Sequence, residues 1–248
     1  MTTFFLSPAW GVTANLMVCG SRFNHTINFK DIYPKTGGGE DIDFVYQHKA
    51  FYPHLGKRAI VAVPEAVVHH PWWKNGNVCY SQINGWAQGD SICLTEWPEK
   101  TFLTCPNWIE HACFIILPYA ALTQRPLAGL VAAGAVIGLE HFILACNFWG
   151  EAMVQCKDGE PFANIRSTLK WILETTLVAV GAGTVLTAQE ATRSWWMVRR
   201  ATFFSSMCRR VDWFDGQRPA IKLDIQLNSM AQFVVNSAIT WGCWKLFD

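Results

Sequence analysis

The segment GGGEDID, residues 37–43, packs the most reactive side chains into the shortest stretch of this 248-residue chain. Three glycines relax the backbone ahead of Glu40, Asp41 and Asp43. A carboxylate within hydrogen-bond reach of a hydroxyl can take its proton as the oxygen attacks, so a general base is one reading. Asp41 and Asp43 also make an Asp-x-Asp pair, which could hold a hard cation together with substrate phosphates. The plainer reading is an acidic helix N-terminus after a flexible loop, where the helix dipole favours negative charge.

Two further segments carry chemistry. PEAVVHHPWW, residues 64–73, ends a strand-like run in His69 and His70. Neighbouring side chains on a strand point to opposite faces, so one of the two can face a given site and touch a metal or a phosphate. Ordinary surface or core histidines are the alternative. In QINGWAQGDS, residues 82–91, Gln82 and Trp86 lie four apart and share one face if the segment is helical. An indole can stack on a sugar ring and an amide can bond its hydroxyls. A Trp at a membrane interface beside an amphipathic helix is the competing reading.

The elements that must position these residues change character near residue 100. Residues 1–100 hold most of the acidic and His residues in short alternating segments and read as a mixed α/β piece. DIDFVYQHKAFYPHLG (41–56) has apolar residues at helical spacing and ends near Gly56. AIVAV (59–63) has the β-branched run of a strand.

Residues 101–248 read as a membrane-associated helical region. The stretches 127–149 and 168–188 are long enough to span a bilayer, which takes about 20 residues. The first contains Glu140 and His141, the second Lys170 and Glu174. A third and weaker candidate covers 229–247, and 107–123, with Glu110, His111 and Pro118, suits the interface. Between them, 193–222 interleaves Arg193, Arg199, Arg200, Arg209, Arg210, Arg218 and Lys222 with Trp and Phe. That mixture reads as a helix lying among anionic headgroups. The positive-inside rule places it in the cytosol, and two crossings would put residues 1–100 there too.

Composition agrees. Charged residues make up 16% of the chain, against the roughly 25% usual in soluble domains, and the hydrophobic share is 51%. Such a chain is not disordered, and its net charge of +1 does not suit a nucleic-acid binder. The nine Cys form no C-x-x-C pair and read as reduced, structural thiols. The sequon at Asn24 is a chance match if that region is cytosolic.

Taken in order, these motifs resemble the C-terminal half of the catalytic domain of a membrane-bound family-2 glycosyltransferase. GVTANLMV (11–18), GGGEDIDF (37–44), PEAVVHHP (64–71) and QINGWAQGD (82–90) look like that family's successive motifs, followed by membrane helices. The resemblance implies a partial Rossmann-like domain of the glycosyltransferase-A type, α/β in class, over residues 1–100, then an all-α membrane region. It implies inverting sugar transfer from a nucleotide-sugar to a glycan or lipid acceptor at the cytosolic face of the endoplasmic reticulum, Golgi or plasma membrane.

By the same resemblance Asp41 is the base, with Glu40 beside it. His70, or else His69, lies near a divalent cation (Mg or Mn) and the diphosphate. Gln82, Trp86, Asn15 and Asp43 contact substrate. Two departures stand out. Gly85 occupies the place of an Arg that would hold the diphosphate bidentately. The nucleotide-binding half that precedes these motifs in the family is absent, which implies a truncated product, one half of a split enzyme, or a domain without activity.

A reading of a different class is a polytopic membrane scaffold or assembly subunit. In that case Glu140, His141 and Glu174 matter most, because intramembrane ionisable groups are expensive and tend to be functional. A metal protein built on His25, His48, His54, His69 and His70 is a remote third, since these lack a metal-ligand spacing.

Overall fold

The computed structural model describes Met17 and residues 26–58, 80–155, 165–212 and 219–247. In chain order its elements are α1 (Glu40–Phe51), α2 (Tyr80–Glu96), β1 (Thr101–Leu103), α3 (Trp108–His111), α4 (Leu117–Thr123), α5 (Pro126–Gln155), α6 (Ile165–Arg199), α7 (Phe203–Ser206), β2 (Arg209–Val211) and α8 (Pro219–Lys245). The chain divides into two compact units, Met1–Thr104 with Trp195–Leu227, and Cys105–Ser194 with Asn228–Asp248.

The structure is 79% helical, which overturns the α/β, Rossmann-like expectation. The only strands among the described residues are β1 and β2, an antiparallel pair with Thr101 opposite Val211 and Leu103 opposite Arg209. Residues 80–96 run as one 17-residue helix through Gly85 and Gly89, where short alternating segments were expected. The AIVAV run that carried the strand signal lies outside the described residues.

In the first unit α1 begins after Gly39, whose φ of 84° is left-handed and suits a residue without Cβ. Its expected end near Gly56 comes earlier, at Phe51, because Tyr52 precedes Pro53 and is pushed out of the helical region. A short 3-10 turn follows over Pro53–Arg58. The helix buries Ile42, Asp43, Phe44, Val45 and Tyr46.

Backbone meets backbone where the glycine turn rests on α2. A Cβ added to Gly85 would strike the Gly37 carbonyl, and one added to Gly89 would strike the Gly38 carbonyl. The reverse also holds, with Gly38 against Gly85 and Gly39 against Gly89. Residues 195–212 belong to this unit because β2 pairs with β1. The Tyr46 hydroxyl donates to the Asp212 carbonyl at 3.1 Å.

In the second unit α3 starts with a reciprocal cap. The Asn107 side chain accepts from the Glu110 N–H, and the Glu110 carboxylate accepts from the Asn107 N–H. A π turn over Ala112–Ile116 follows, just before Pro118, which lacks an N–H to continue the α ladder. The core gathers Trp108, Ile116, Ala120, Ala128, Ala132, Val136, Cys243 and Trp244. Small residues bring helices close, as where a Cβ on Gly183 would sit 2.9 Å from the His141 carbonyl.

Two helices here are long and apolar enough to cross a membrane, over Pro126–Asn147 and Ile165–Arg199. Only 28% and 22% of their most apolar windows are buried within the structure, whereas a core helix of a water-soluble protein is mostly buried. The third stretch, 229–247, falls mostly in α8, which ends at Lys245 and is not among the helices that meet that test.

Placing Ala at 85 or 89 should destabilise the first unit by about 1–3 kcal/mol, the usual penalty of overpacking a tight contact. Thermal melting of the two variants measures it. Parent-like melting of both would show that the turn and α2 do not touch.

Candidate functional site

The acidic turn is built from beneath by buried side chains. Cys93 on α2 donates its thiol to the Gly39 carbonyl at 3.9 Å, and the Tyr33 hydroxyl lies 3.7 Å from the same sulfur. Burial pushes both the Cys93 thiol and the Tyr33 phenol well above their ordinary ranges. Cys93 is therefore a packing residue and not a nucleophile.

The three carboxylates have different surroundings. Glu40, half-buried, accepts a hydrogen bond from the Gly38 N–H and so ties the glycine turn to the helix start. Asp41, also half-buried, accepts from the Ile42 N–H at 2.9 Å. Both sit in the first turn of α1, at the positive end of the helix dipole.

Asp43, expected at the substrate, is 0% exposed and enclosed. Its Oδ1 accepts from the Trp97 indole at 2.8 Å and pairs with the Lys30 ammonium at 3.1 Å. Its Oδ2 accepts from Gln47. Lys30 also reaches Glu96 at 3.1 Å and lies 5.8 Å from the Trp97 ring centre. This clasp ties the loop before α1 to the end of α2. With both oxygens taken, Asp43 does not fit as a cation ligand in an Asp-x-Asp pair.

The structure brings the turn before Glu40 against the helix that carries Gln82 and Trp86. Both side chains are half-buried on α2, and Gln82, Gly85 and Gly89 share the face that receives the turn. The same contact explains Gly85. An Arg in that place would drive its Cβ into the Gly37 carbonyl, so the diphosphate-binding side chain of the family motif cannot stand there.

Asn15, His69 and His70 lie outside the described residues, as do the GVTAN and PEAVVHHP segments. Among the described residues no group of three or more His, Cys, Asp or Glu is placed to hold a metal ion. His48 and His54 instead join an aromatic stack. His48 meets Phe44 edge-on at 4.7 Å and His54 meets Tyr52 at 6.0 Å, and burial lowers the His48 pKa.

The basic segment 193–222 is not one helix. Arg193 is buried at the end of the apolar part of α6 and pairs with Glu190 at 2.6 Å. Arg199 lies over the Trp196 ring at 5.2 Å, while the Trp196 indole donates to Asn84 on α2 at 3.0 Å. Arg209 and Arg210 belong to β2, and Arg209 donates to Thr101 at 3.0 Å. Trp195, Val198, Arg199 and Phe204 stay exposed. Of the residues singled out for a scaffold, Glu140 is buried and Glu174 pairs with Lys170 at the surface.

Sequence reasoning missed Lys30, Gln47 and Trp97. Gln47 stands four residues after Asp43, a helical spacing that does signal the pair. Lys30 and Trp97 are joined to Asp43 only by the fold.

The Lys30 pKa follows from the clasp. Burial lowers it, but the hydrogen bonds and charges of Glu96 and Asp43 outweigh burial and raise it above 10.5. A raised lysine pKa contributes stability that is complete below the ordinary lysine value and is lost as pH climbs through the folded value. Lys30→Met should cost about 1–2 kcal/mol near neutral pH, the lower part of the charged hydrogen-bond range because Lys30 is one-third exposed to solvent. Thermal melting against pH should show the gap between parent and variant closing as pH climbs above the ordinary lysine value of about 10.4. An equal gap at every pH would contradict the pairing.

No protein-family model, no curated protein and no solved structure matches the chain.

Proposed function

We propose that the first unit is the acceptor half of an inverting sugar transferase, acting at the cytosolic face of a membrane of the endoplasmic reticulum, Golgi or cell surface. Asp41 is the base that takes the proton of the acceptor hydroxyl as it attacks the donor sugar. Glu40 shapes the turn beside it, and Gln82 and Trp86 offer an amide and an indole to the sugar. A glycan or membrane-lipid alcohol is the acceptor and a nucleotide-sugar the donor, with a nucleotide-binding half supplied by another segment or chain.

The observation that carries this reading is the packing of the Gly37–Gly39 turn onto α2. It puts Glu40 and Asp41 at a fixed helix start beside the helix that bears Gln82 and Trp86. Asp41 stands outside the Asp43 clasp. No step of the reading runs through a metal, because Asp43 is committed elsewhere and His70 lies outside the described residues.

The membrane setting is supported by the two long apolar helices and by the exposed Trp195, Val198 and Phe204 beside Arg199. Interface-seeking aromatics next to cations suit a headgroup layer, and the positive-inside rule puts that layer on the cytosolic side. The competing scaffold reading draws on buried Glu140, which continues the Ala128, Ala132, Val136 stripe of α5.

Membranes carrying the full chain should incorporate radiolabelled sugar when the nucleotide-binding half is supplied. Asp41→Asn should cut the rate by about 10²–10⁴-fold while the chain stays folded and membrane-bound, the usual worth of a general base. A parent-like rate in that variant would rule out Asp41 as the base, and no transfer by the parent would favour the scaffold. Alkaline carbonate extraction should leave the chain in the membrane pellet. Release into the supernatant would contradict the spanning helices.

A further inference from the structure

The helical unit buries more acid than base, and sugar transfer uses none of it. Glu110 is 2% exposed and Glu140 9%, and the Glu190 side chain is mostly covered. Arg193 is the one Lys or Arg buried among the described residues. Three carboxylates thus face one guanidinium inside the bundle. Glu140 also lies deep. It is seven residues inside the Asn147 end of the 22-residue apolar span, about 10 Å along the helix axis. It follows Ala128, Ala132 and Val136 at steps of four, the face of α5 that is packed against its neighbours.

The three acids are not placed alike. Glu190 accepts from Arg193 at 2.6 Å and from the Asn107 amide at 3.1 Å. Glu110 accepts from the Asn107 N–H at 3.0 Å in the first turn of α3. Donors of this kind favour the ionised form of both. Glu140 has no such donor. It makes no hydrogen bond or ion pair among the described residues. The Nε of Arg193 meets no acceptor among them either, Glu140 included. From the elements packed around Glu140, the charged group that acts on it is Glu190 on α6, of like sign. His141 follows it on α5, but adjacent side chains on a helix do not face each other.

We propose that Glu140 is a proton-binding site of the helical unit, with the neutral acid as the form seated in the membrane. An ionised Glu140 would set an unpaired negative charge near that of Glu190 in a hydrocarbon surround. A carboxylate so placed neutralises itself by taking a proton. A hard metal cation is the other way to cancel the charge. It asks for several oxygen ligands, and among the described residues no group of three or more His, Cys, Asp or Glu is placed to supply them. A proton needs no cavity, since it rides on a carboxyl oxygen. With it in place the buried charges reduce to the Arg193–Glu190 pair and Glu110 in its cap. The proposal rests on the membrane setting of α5, which carbonate extraction tests by itself, and is independent of sugar transfer.

The test is infrared difference spectroscopy of the full chain in phosphatidylcholine nanodiscs near neutral pH, parent minus Glu140→Gln. Gln has nearly the shape of the neutral acid and no proton to lose. The difference should show the carbonyl band of one protonated carboxyl, present in the parent, shifted in heavy water and lost in the variant. The paired bands of a carboxylate in its place would show an ionised Glu140 and overturn the proposal, whether that charge stood alone or held a sodium ion. Should Glu140→Gln not fold, Glu140→Asp decides. The protonated-carboxyl band should then move to a new frequency, and an unmoved or missing band would overturn the proposal.

Discussion

Much of the first unit depends on backbone touching backbone at four glycines. A Cβ on Gly38, Gly85 or Gly89 would collide with a carbonyl of the facing segment, and one on Gly39 would sit 3.1 Å from Gly89. Gly39, within that contact, holds the left-handed conformation from which α1 starts, so the contact seats the first turn and its carboxylates. A flexible acidic loop would scatter them, whereas a helix start seated on a second helix holds them in place. The Asp43 clasp reinforces the same junction from the buried side, joining Lys30, Gln47 and Trp97 through one carboxylate.

The second unit follows a different rule. Its long helices turn Leu127, Leu130, Phe142, Leu169, Leu173 and Leu177 outward, while Glu110, His111, Glu140, Thr175, Arg193, Asn236 and Thr240 are buried. Water favours the reverse arrangement. A hydrocarbon surround favours this one, because polar side chains there must find partners inside the bundle. The Asn107–Glu190–Arg193 chain of hydrogen bonds shows that need being met within the unit. The open atoms of His111 and Asn236 show it unmet by neighbouring side chains.

What the sequence disclosed follows from how local each signal is. The α1 helix was legible in the spacing of Ile42, Val45 and Tyr46, but its end was expected near Gly56, although Pro53 restrains Tyr52 and stops the helix at Phe51. The two apolar helices were legible in composition. The class was misread because the short alternating segments expected before residue 100 include one continuous helix, α2, whose Gly85 and Gly89 meet partners some 50 residues away in the turn at 37–39. The basic strip was misread as one helix for a similar reason. Arg193 pairs within α6, while Arg209 and Arg210 join a strand that exists only because Thr101–Leu103 pairs with it. Of the candidate site, the acids were visible as residue types. Their division into half-buried and enclosed was not, since Lys30 and Trp97 reach Asp43 only through the fold.

That division is the central claim. Asp43 is enclosed in the clasp, and Asp41 stands half-buried in the first turn of α1 outside it. Side-by-side melting of Asp41→Asn and Asp43→Asn tests it most directly. The clasp predicts a loss of about 1.5–3 kcal/mol for Asp43→Asn, the worth of hydrogen bonds to a charged group, and a smaller loss of about 0.3–1 kcal/mol for Asp41→Asn, the worth of a carboxylate at a helix N-terminus. Equal losses in the two variants, or a larger loss at Asp41, would contradict the account.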